Sequence, residues 1–330
     1  AEQDERYRDA PLVTDNRVWS SLWLLLTRGK YLELNSSLET PLVVVEAANP
    51  YKALNRTETP EFKEVLAYIW KWKRDGILDS DMLSRSDNEG ELGKTLILED
   101  KKPCETNNPI WSLNNHWIPA LYEKNHEWEF NFFPYLNQFD TYHVGSLAGA
   151  SVISISAKTT EPELAMELLE KIHTDARYYS LVAYGAEGEN YNLVDGKIGF
   201  DGISSQNRFG WTAVTDDTMG YEGIPVNRKW DEEVYHALPD WSKETGKTVE
   251  DDPLDGFSFV LSGKEQAAVE RVWLQYFQPL VCGYGEDYLE ALEEANQRLY
   301  GAGFEQYLEA IQEQLTDYAA QLPGSGDVAP

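Results

Sequence analysis

Apolar residues recur at helical spacing in four stretches of the chain. The clearest stretch lies at 59–76, where Thr59 can cap a helix, Pro60 suits its first position and Gly76 ends it. Its apolar positions fall on one face, at Phe62, Val65, Leu66, Ile69 and Trp70. This pattern predicts an amphipathic helix.

A β-rich run precedes the second predicted helix. The run covers 152–156, and Thr160 with Glu163 then has the spacing of a capping box. The apolar positions that follow are Leu164, Leu168, Leu169 and Ile172. The pattern predicts a strand, a turn and a helix in that order, then a second short helix and a turn rich in Tyr, Gly and Glu.

Two further helices are predicted near the C-terminal end, and glycines at 283, 285, 301 and 303 interrupt the chain between them. The tail at 323–330 has a composition typical of disorder. The apolar faces of the two helices contain Val269, Val272, Trp273, Tyr276, Phe277 and Leu280, and Phe304, Tyr307, Leu308, Ile311, Leu315 and Tyr318.

The predicted strands are scattered between the helices instead of following one another. They lie at about 42–45, 95–98, 130–133 and 149–155. Strands mixed with helices in this way favour an α/β class over a β-sandwich or a helical bundle.

Length and charge narrow the classes of function. A chain of 330 residues is longer than one ordinary core fills, which predicts two lobes or one lobe with large additions. The 57 acidic and 28 basic residues give a net charge of −29, and so acidic a surface repels nucleic acid and anionic membranes. The longest apolar run, at 18–27, is too short to span a membrane.

Neither a metal site nor a cofactor is predicted. His116, His126 and His143 lie in separate loops without paired ligand spacing, and no phosphate loop, dinucleotide fingerprint or nucleophile elbow appears. Cys104 and Cys282 fit either a disulfide or two ordinary buried thiols, and we favour free, inert thiols.

Aromatic residues in polar loops are the most informative candidate site residues. Aromatic rings beside amides and carboxylates suit carbohydrate, because the ring stacks on the sugar's C–H face while polar groups bind its hydroxyls. The alternative is that each ring anchors its loop to the core. The candidates are Trp111 and Trp117, then Phe139, Tyr142 and His143, then Trp211, Tyr221 and Trp230.

Acidic pairs leave an enzymatic alternative open. Asp216 with Asp217, or Glu187 with Glu189, could serve as the acid and nucleophile of a glycosidase. With 57 acidic residues such pairs arise by chance, so no catalytic residue is predicted. The acidic stretch 250–256 lacks the spacing of a calcium loop and is interpreted as a solvated turn.

The stretch 151–200 resembles the region of bacterial ABC-importer extracellular solute-binding proteins in which a hinge strand returns to a lobe and an "NPE-A-LL" helix follows. This chain has Thr160-Glu161-Pro162-Glu163 where that family often has Asn-Pro-Glu. The stretch 256–318 resembles the C-terminal domain of the LipO-like lipoprotein branch, of the DUF3502 type.

The resemblance implies a type II periplasmic-binding-protein-like fold with two lobes. The implied divisions are 1–145 as mainly second-lobe α/β segment, 146–200 as hinge strand and helices of the first lobe, 201–322 as the DUF3502-like helical region, and 323–330 as tail. Family members begin with a lipidated signal and a βα-rich segment. Because we recognise neither at 1–40, the first lobe is expected to be incomplete, through either truncation or replacement of that segment.

The resemblance also implies a function: capture of an oligosaccharide in a cleft between lobes, and delivery to ABC permease subunits. We expect an extracellular, monomeric lipoprotein that meets the membrane through a lipid anchor outside this chain. In sugar-binding relatives a Trp-bearing cleft loop stacks on a pyranose, where Trp111 and Trp117 match, and Tyr142 and His143 face the same cleft. Trp211 and Trp230 are candidates from composition. Peptide binding, glycan cleavage and a purely structural role stay open.

Overall fold

The computed structural model divides the chain into two compact units, residues 1–144 with 242–330, and residues 145–241. We refer to them as unit 1 and unit 2. The residues described are 12–34, 42–84, 91–104, 124, 125, 127, 128, 138, 139, 141–144, 153–194, 197–199, 246, 248–259, 261 and 263–322.

Unit 1 begins with a helix and a small antiparallel sheet. Helix α1 (Val18–Thr27) buries Trp19, Leu22 and Trp23. Strands β1 (Tyr31–Glu33), β2 (Val43–Glu46) and β3 (Asn49–Asn55) pair in the order β1-β2-β3. The strand predicted at 42–45 is confirmed by β2, whose valines are buried because both faces of the strand pack in the core.

Helix α2 (Pro60–Arg74) confirms the clearest prediction from the sequence. The Thr59 hydroxyl accepts a hydrogen bond from the Phe62 N–H at 3.2 Å, and Pro60 occupies the first turn. Gly76 has a φ of 71° and follows the last turn, as predicted. The buried face contains Phe62, Val65, Leu66 and Ile69.

The strand prediction for 95–98 is wrong, because these residues end helix α3 (Glu91–Leu98). A short apolar run such as "TLIL" suits a strand and a buried helix equally well, and here the preceding turn of helix decides. The strand predicted at 130–133 lies outside the described residues.

The two predicted apolar stripes, at 269–280 and 304–318, lie on the C-terminal helices of unit 1, whereas no stripe was predicted for the helix between them. These helices are α6 (Gly263–Val272), α7 (Gln278–Val281), α8 (Tyr288–Gly301) and α9 (Phe304–Gln321). A π-helical turn (Trp273–Phe277) joins α6 to α7. Pro279 has no N–H to donate, which accounts for the wider turn beside it.

One hydrophobic core joins both ends of unit 1. The Trp19 ring lies 5.5 Å from that of Trp273, and the Gln312 amide of α9 bonds the β3 backbone through Ala53 N at 2.8 Å and Tyr51 O at 2.9 Å. The core also contains Leu42, Val44, Val269, Phe277, Leu299, Phe304, Ile311 and Leu315. The helical C-terminal segment is therefore an integral part of unit 1.

Strands β4 (Thr141–Val144) and β7 (Thr248–Asp251) pair in parallel in unit 1. Glu250 and Asp251, which the sequence placed in a solvated turn, belong to β7. The turn follows, and the Asp252 carboxylate accepts the Leu254 N–H at 2.8 Å within it.

Unit 2 contains helices α4 (Pro162–Thr174) and α5 (Ala176–Ala183) and the hairpin β5 (Asn192–Val194) with β6 (Lys197–Gly199). The predicted helices are confirmed. The predicted cap at Thr160 is wrong, because Glu161 occupies the N-cap position of α4 and its side chain makes no capping hydrogen bond. Residues 153–156 form no strand. Of the predicted stripe Ile172 is buried, while Leu164 and Leu168 are exposed.

Cys104 is exposed and Cys282 is buried, and these two described cysteines form no disulfide. The missing disulfide agrees with the favoured prediction, but the prediction that both thiols are buried is wrong for Cys104. None of the described helices combines the length and apolar character needed to cross a membrane.

Candidate functional site

An open pocket of about 590 Å³ in unit 1 contains one of the predicted ligand residues, His143. Four chain segments form its wall: the turn after α1, the β2–β3 turn, strand β4 and strand β7. The lining residues are Thr27, Arg28, Gly29, Lys30, Glu46, Ala47, Ala48, Thr141, His143 and Glu250.

The turn after α1 brings two basic side chains to the pocket. Arg28 ends the helix in a left-handed conformation, with a φ of 51°, and its N–H donates to the Leu24 carbonyl at 3.0 Å. Gly29 follows with a φ of 84°, and a Cβ there would lie 2.9 Å from the Thr141 carbonyl oxygen. Glycine therefore permits both the turn and its close approach to β4.

The β2–β3 turn forms the second wall and is fixed to the first. The Ala47 N–H donates to the Lys30 carbonyl at 2.9 Å, so the two turns hold each other through their backbones. This contact places the Glu46 carboxylate beside the Lys30 ammonium, 3.7 Å away.

Strands β4 and β7 contribute an imidazole and a carboxylate. His143 pairs in register with Glu250, so both side chains project from the same face of the parallel pair. His143 Nδ1 is buried and has no hydrogen-bond partner among the described residues. The His143 imidazole lines the pocket, but this nitrogen is shielded and is not the atom that faces a ligand.

Lys30 is held by a carboxylate outside the pocket. Its ammonium lies 2.8 Å from Glu61 Oε1, and the Tyr31 hydroxyl donates to Glu61 Oε2 at 3.0 Å. The Glu61 hydrogen bond raises the pKa of Lys30. Burial raises the pKa of Glu61, but the hydrogen bonds from Lys30 and Tyr31 outweigh it, so that pKa lies below its ordinary value.

The arrangement suits a neutral ligand rich in hydroxyls. Arg28 and Lys30 donate, Glu46 and Glu250 accept, and a hydroxyl group does both. The pocket carries balanced charges in a chain of net charge −29. Within the described part of the chain, no group of three or more His, Cys, Asp or Glu could hold a metal ion.

The predicted ligand residues are placed unequally. His143 lines the pocket, whereas Tyr142 is on the opposite face of β4, where its ring lies 6.2 Å from that of Phe139. Phe139, also considered as a candidate, is buried. Trp111, Trp117, Trp211 and Trp230 lie outside the described residues, so their role stays a prediction.

Sequence reasoning missed four charged residues of the pocket, Arg28, Lys30, Glu46 and Glu250. The signal at 28–30 was an Arg-Gly-Lys sequence directly after an apolar helix, typical of a turn that presents charges. Nothing local to Glu46 or Glu250 distinguishes them among 57 acidic residues.

Comparison with known proteins gives a domain and a fold. Residues 253–320 match the domain of unknown function DUF3502. The N-glycan transport solute binding protein NgtS of Streptococcus pneumoniae superposes with a TM-score of 0.58 at 18% identity, over 95% of this chain and 70% of that chain.

Two further structures are similar. NgtS in complex with Man5GlcNAc gives a TM-score of 0.51 at 19% identity, over 96% of this chain and 70% of that one. The alginate-binding protein AlgQ2 without calcium ion gives 0.57 at 12% identity, over 96% of this chain and 66% of that one. No curated protein sequence matches.

The chain has a solute-binding-protein fold. The resemblance drawn from the sequence is confirmed in the DUF3502 domain and in the type II periplasmic-binding-protein-like fold of the structural neighbours. The domain boundaries drawn from the sequence stay predictions. The DUF3502 segment supplies α6 to α9, and therefore much of the core of unit 1.

Proposed function

We propose that this protein is the solute-binding component of an ABC importer and that it captures an oligosaccharide. The observation that carries the proposal is the solute-binding-protein fold, which extends over 95% of the chain. Structural neighbours are described as N-glycan transport and alginate-binding proteins, so carbohydrate is the ligand class with the most support.

The pocket supports the same ligand class. A sugar presents adjacent hydroxyls that donate to Glu46 and Glu250 and accept from Lys30 and Arg28, and His143 lines the same pocket. In the proposal, Trp111, Trp117, Trp211 and Trp230 complete the site, whereas Tyr142 lies on the opposite face of β4 and does not line this pocket. Each ring that stacks on a sugar contributes about 1 kcal/mol beyond the area it buries.

In the proposal, the protein binds its ligand and does not catalyse a reaction. Glu187 and Glu189, one candidate catalytic pair, are exposed. The proposal also includes an extracellular location, a lipid anchor outside this chain, a monomeric state and delivery of the ligand to permease subunits. The alternative within the binding class is a cationic peptide, because the net charge of −29 favours cations.

Intrinsic tryptophan fluorescence tests the proposal. The protein is titrated with Man5GlcNAc, alginate oligosaccharides and short basic peptides, and the titration is repeated with His143→Ala and Trp111→Ala. We expect a saturable change with one oligosaccharide class, weakened by each substitution. The matched control is His173→Ala, a histidine in α4 of unit 2, which should leave the affinity unchanged.

Chromatography of the titrated mixture separates binding from catalysis. The proposal predicts that the oligosaccharide is recovered intact. Shortened products would support the enzymatic alternative, and a saturable response to basic peptides alone would support the peptide alternative.

A further inference from the structure

Lys30 lies between two carboxylates that compete for it. Glu61 Oε1 is 2.8 Å from the ammonium, within hydrogen-bond distance, whereas Glu46 Oε1 is 3.7 Å away and is not. Glu46 lines the pocket and Glu61 does not. The ammonium is therefore assigned to the carboxylate outside the pocket.

Three features explain why Glu61 prevails. Its second carboxylate oxygen accepts the Tyr31 hydroxyl at 3.0 Å, which fixes its orientation. It lies in the first turn of α2, where the helix dipole favours an anion. Its side chain is 18% exposed, against 40% for Glu46, so water competes less for it.

The support for Glu61 is itself rigid. The Tyr31 side chain is buried, and its ring lies 5.1 Å from that of Trp23 in the core. The Lys30 ammonium also lies 4.8 Å from the centre of the Tyr31 ring. A core residue thus sets the position of a polar group at the pocket wall.

We infer that Glu61 is a positioning residue for ligand binding: by holding Lys30 it keeps the Glu46 carboxylate open to accept the hydroxyls of a bound sugar. The inference rests on the proposed function and deepens it. Glu61 lies outside the pocket and acts through Lys30. Without it, Lys30 pairs with Glu46, and both groups are withdrawn from the ligand at once.

A double-mutant cycle tests whether Glu61 acts through Lys30. The affinity for Man5GlcNAc is measured for each variant, with alginate oligosaccharide as the second probe. Lys30→Met should weaken binding by about 10-fold, as expected for a lost charge-assisted hydrogen bond. Glu61→Gln alone should weaken binding at least as much as Lys30→Met, because it withdraws both Lys30 and Glu46 from the ligand, yet it should produce no further loss in the Lys30→Met background. Equal losses in both backgrounds would overturn the inference.

The matched control is Glu167→Gln, which removes the carboxylate from an exposed pair with Lys171 at 2.7 Å in unit 2. It should leave the affinity unchanged. Thermal unfolding of all variants is measured in parallel, because a purely structural role for Glu61 would lower the melting temperature without coupling to Lys30.

Amine labelling with acetic anhydride tests the competition without any ligand, and exposed Lys158 serves as the internal reference. Without Glu61, Lys30 pairs with Glu46, and removing the Glu46 carboxylate then releases the amine. The inference therefore predicts that Glu46→Gln speeds the labelling of Lys30 more in the Glu61→Gln background than in the unaltered protein. An equal effect in both backgrounds overturns it. If neither oligosaccharide binds but the labelling result holds, the proposed function fails while the assignment of Lys30 stands.

Discussion

Arg56 and Lys102 are the two most deeply buried charged residues among those described. The Arg56 side chain is 1% exposed, and its guanidinium lies 4.9 Å from the centre of the Trp23 ring and 5.5 Å from that of Trp19. Nη2 pairs with Glu33 at 2.7 Å, while Nε and Nη1 have no partner among the described residues. Glu33 is therefore the principal compensation for a charge in the core.

This burial gives a prediction for Glu33→Gln. Removing the charge that compensates a buried guanidinium should lower the free energy of unfolding by about 2 kcal/mol, below the cost for a fully buried pair because Glu33 is half exposed. Urea denaturation measures the change. The control is Glu99→Gln, whose pair with Lys101 has the same 2.7 Å separation on the exposed surface. An equal loss in the control would contradict the account.

The two cysteines should differ in reactivity. Burial raises the pKa of the Cys282 thiol to about 12, so at pH 8 it stays protonated and unreactive, whereas Cys104 is exposed. A thiol-reactive reagent such as DTNB should modify one thiol in the native protein and two after denaturation. Two rapidly reacting thiols in the native protein would contradict this burial.

The same shift has a consequence for stability. Because the folded-state pKa of Cys282 lies above its ordinary value of 9.0, the thiol's contribution to stability is fully present below pH 9 and is lost as pH rises towards 12. The unfolding midpoint of Cys282→Ala should therefore depend less on pH across this window than that of the unaltered protein.

Among the elements, helices with local boundary signals could be predicted from the sequence, and elements that depend on tertiary context could not. Helix α2 has its cap, its proline and its glycine within the segment, so the prediction held to within a residue or two. The run at 95–98 has no such signal, and it is helical. Thr160 has the spacing of a cap, but the helix begins at Pro162.

The contrast between the two threonines can be measured. Thr59→Ala removes a hydroxyl that accepts from Phe62 N and donates to the Arg56 carbonyl at 2.7 Å, and should cost about 1 kcal/mol of unfolding free energy. Thr160→Ala, at the cap predicted wrongly, should cost nothing measurable. Comparable losses in chemical denaturation would mean that Thr160 caps α4 in solution.

The turn after α1 gives a second element-scale prediction. Gly29 has a φ of 84°, which disfavours a side chain, and a Cβ added there would lie 2.9 Å from the Thr141 carbonyl oxygen. Gly29→Ala should therefore lower the free energy of unfolding by about 3 kcal/mol. The control is Gly256→Ala, with a φ of 82° and no atom within 4 Å of the added Cβ, which should cost about 1 kcal/mol. If the two losses in denaturation experiments agree, the turn does not press on β4.

Over the whole molecule, the fold class could be predicted and most of the described pocket could not. The resemblance of the stretches 151–200 and 256–318 to solute-binding proteins was enough to predict the solute-binding-protein fold. The pocket joins residues 27–30, 46–48, 141 with 143, and 250, and folding alone brings such distant segments together. His143 was found because the sequence around it is polar and aromatic, but the predicted loop is wrong, since His143 and Tyr142 lie on opposite faces of strand β4.

Isothermal titration calorimetry of the unaltered protein with Man5GlcNAc, alginate oligosaccharides and a basic peptide tests the central claim most directly. The account predicts saturable binding of one oligosaccharide class with a stoichiometry of about one, as expected for one ligand site. Heats confined to the basic peptide, or none with a folded protein, would contradict carbohydrate capture by this chain.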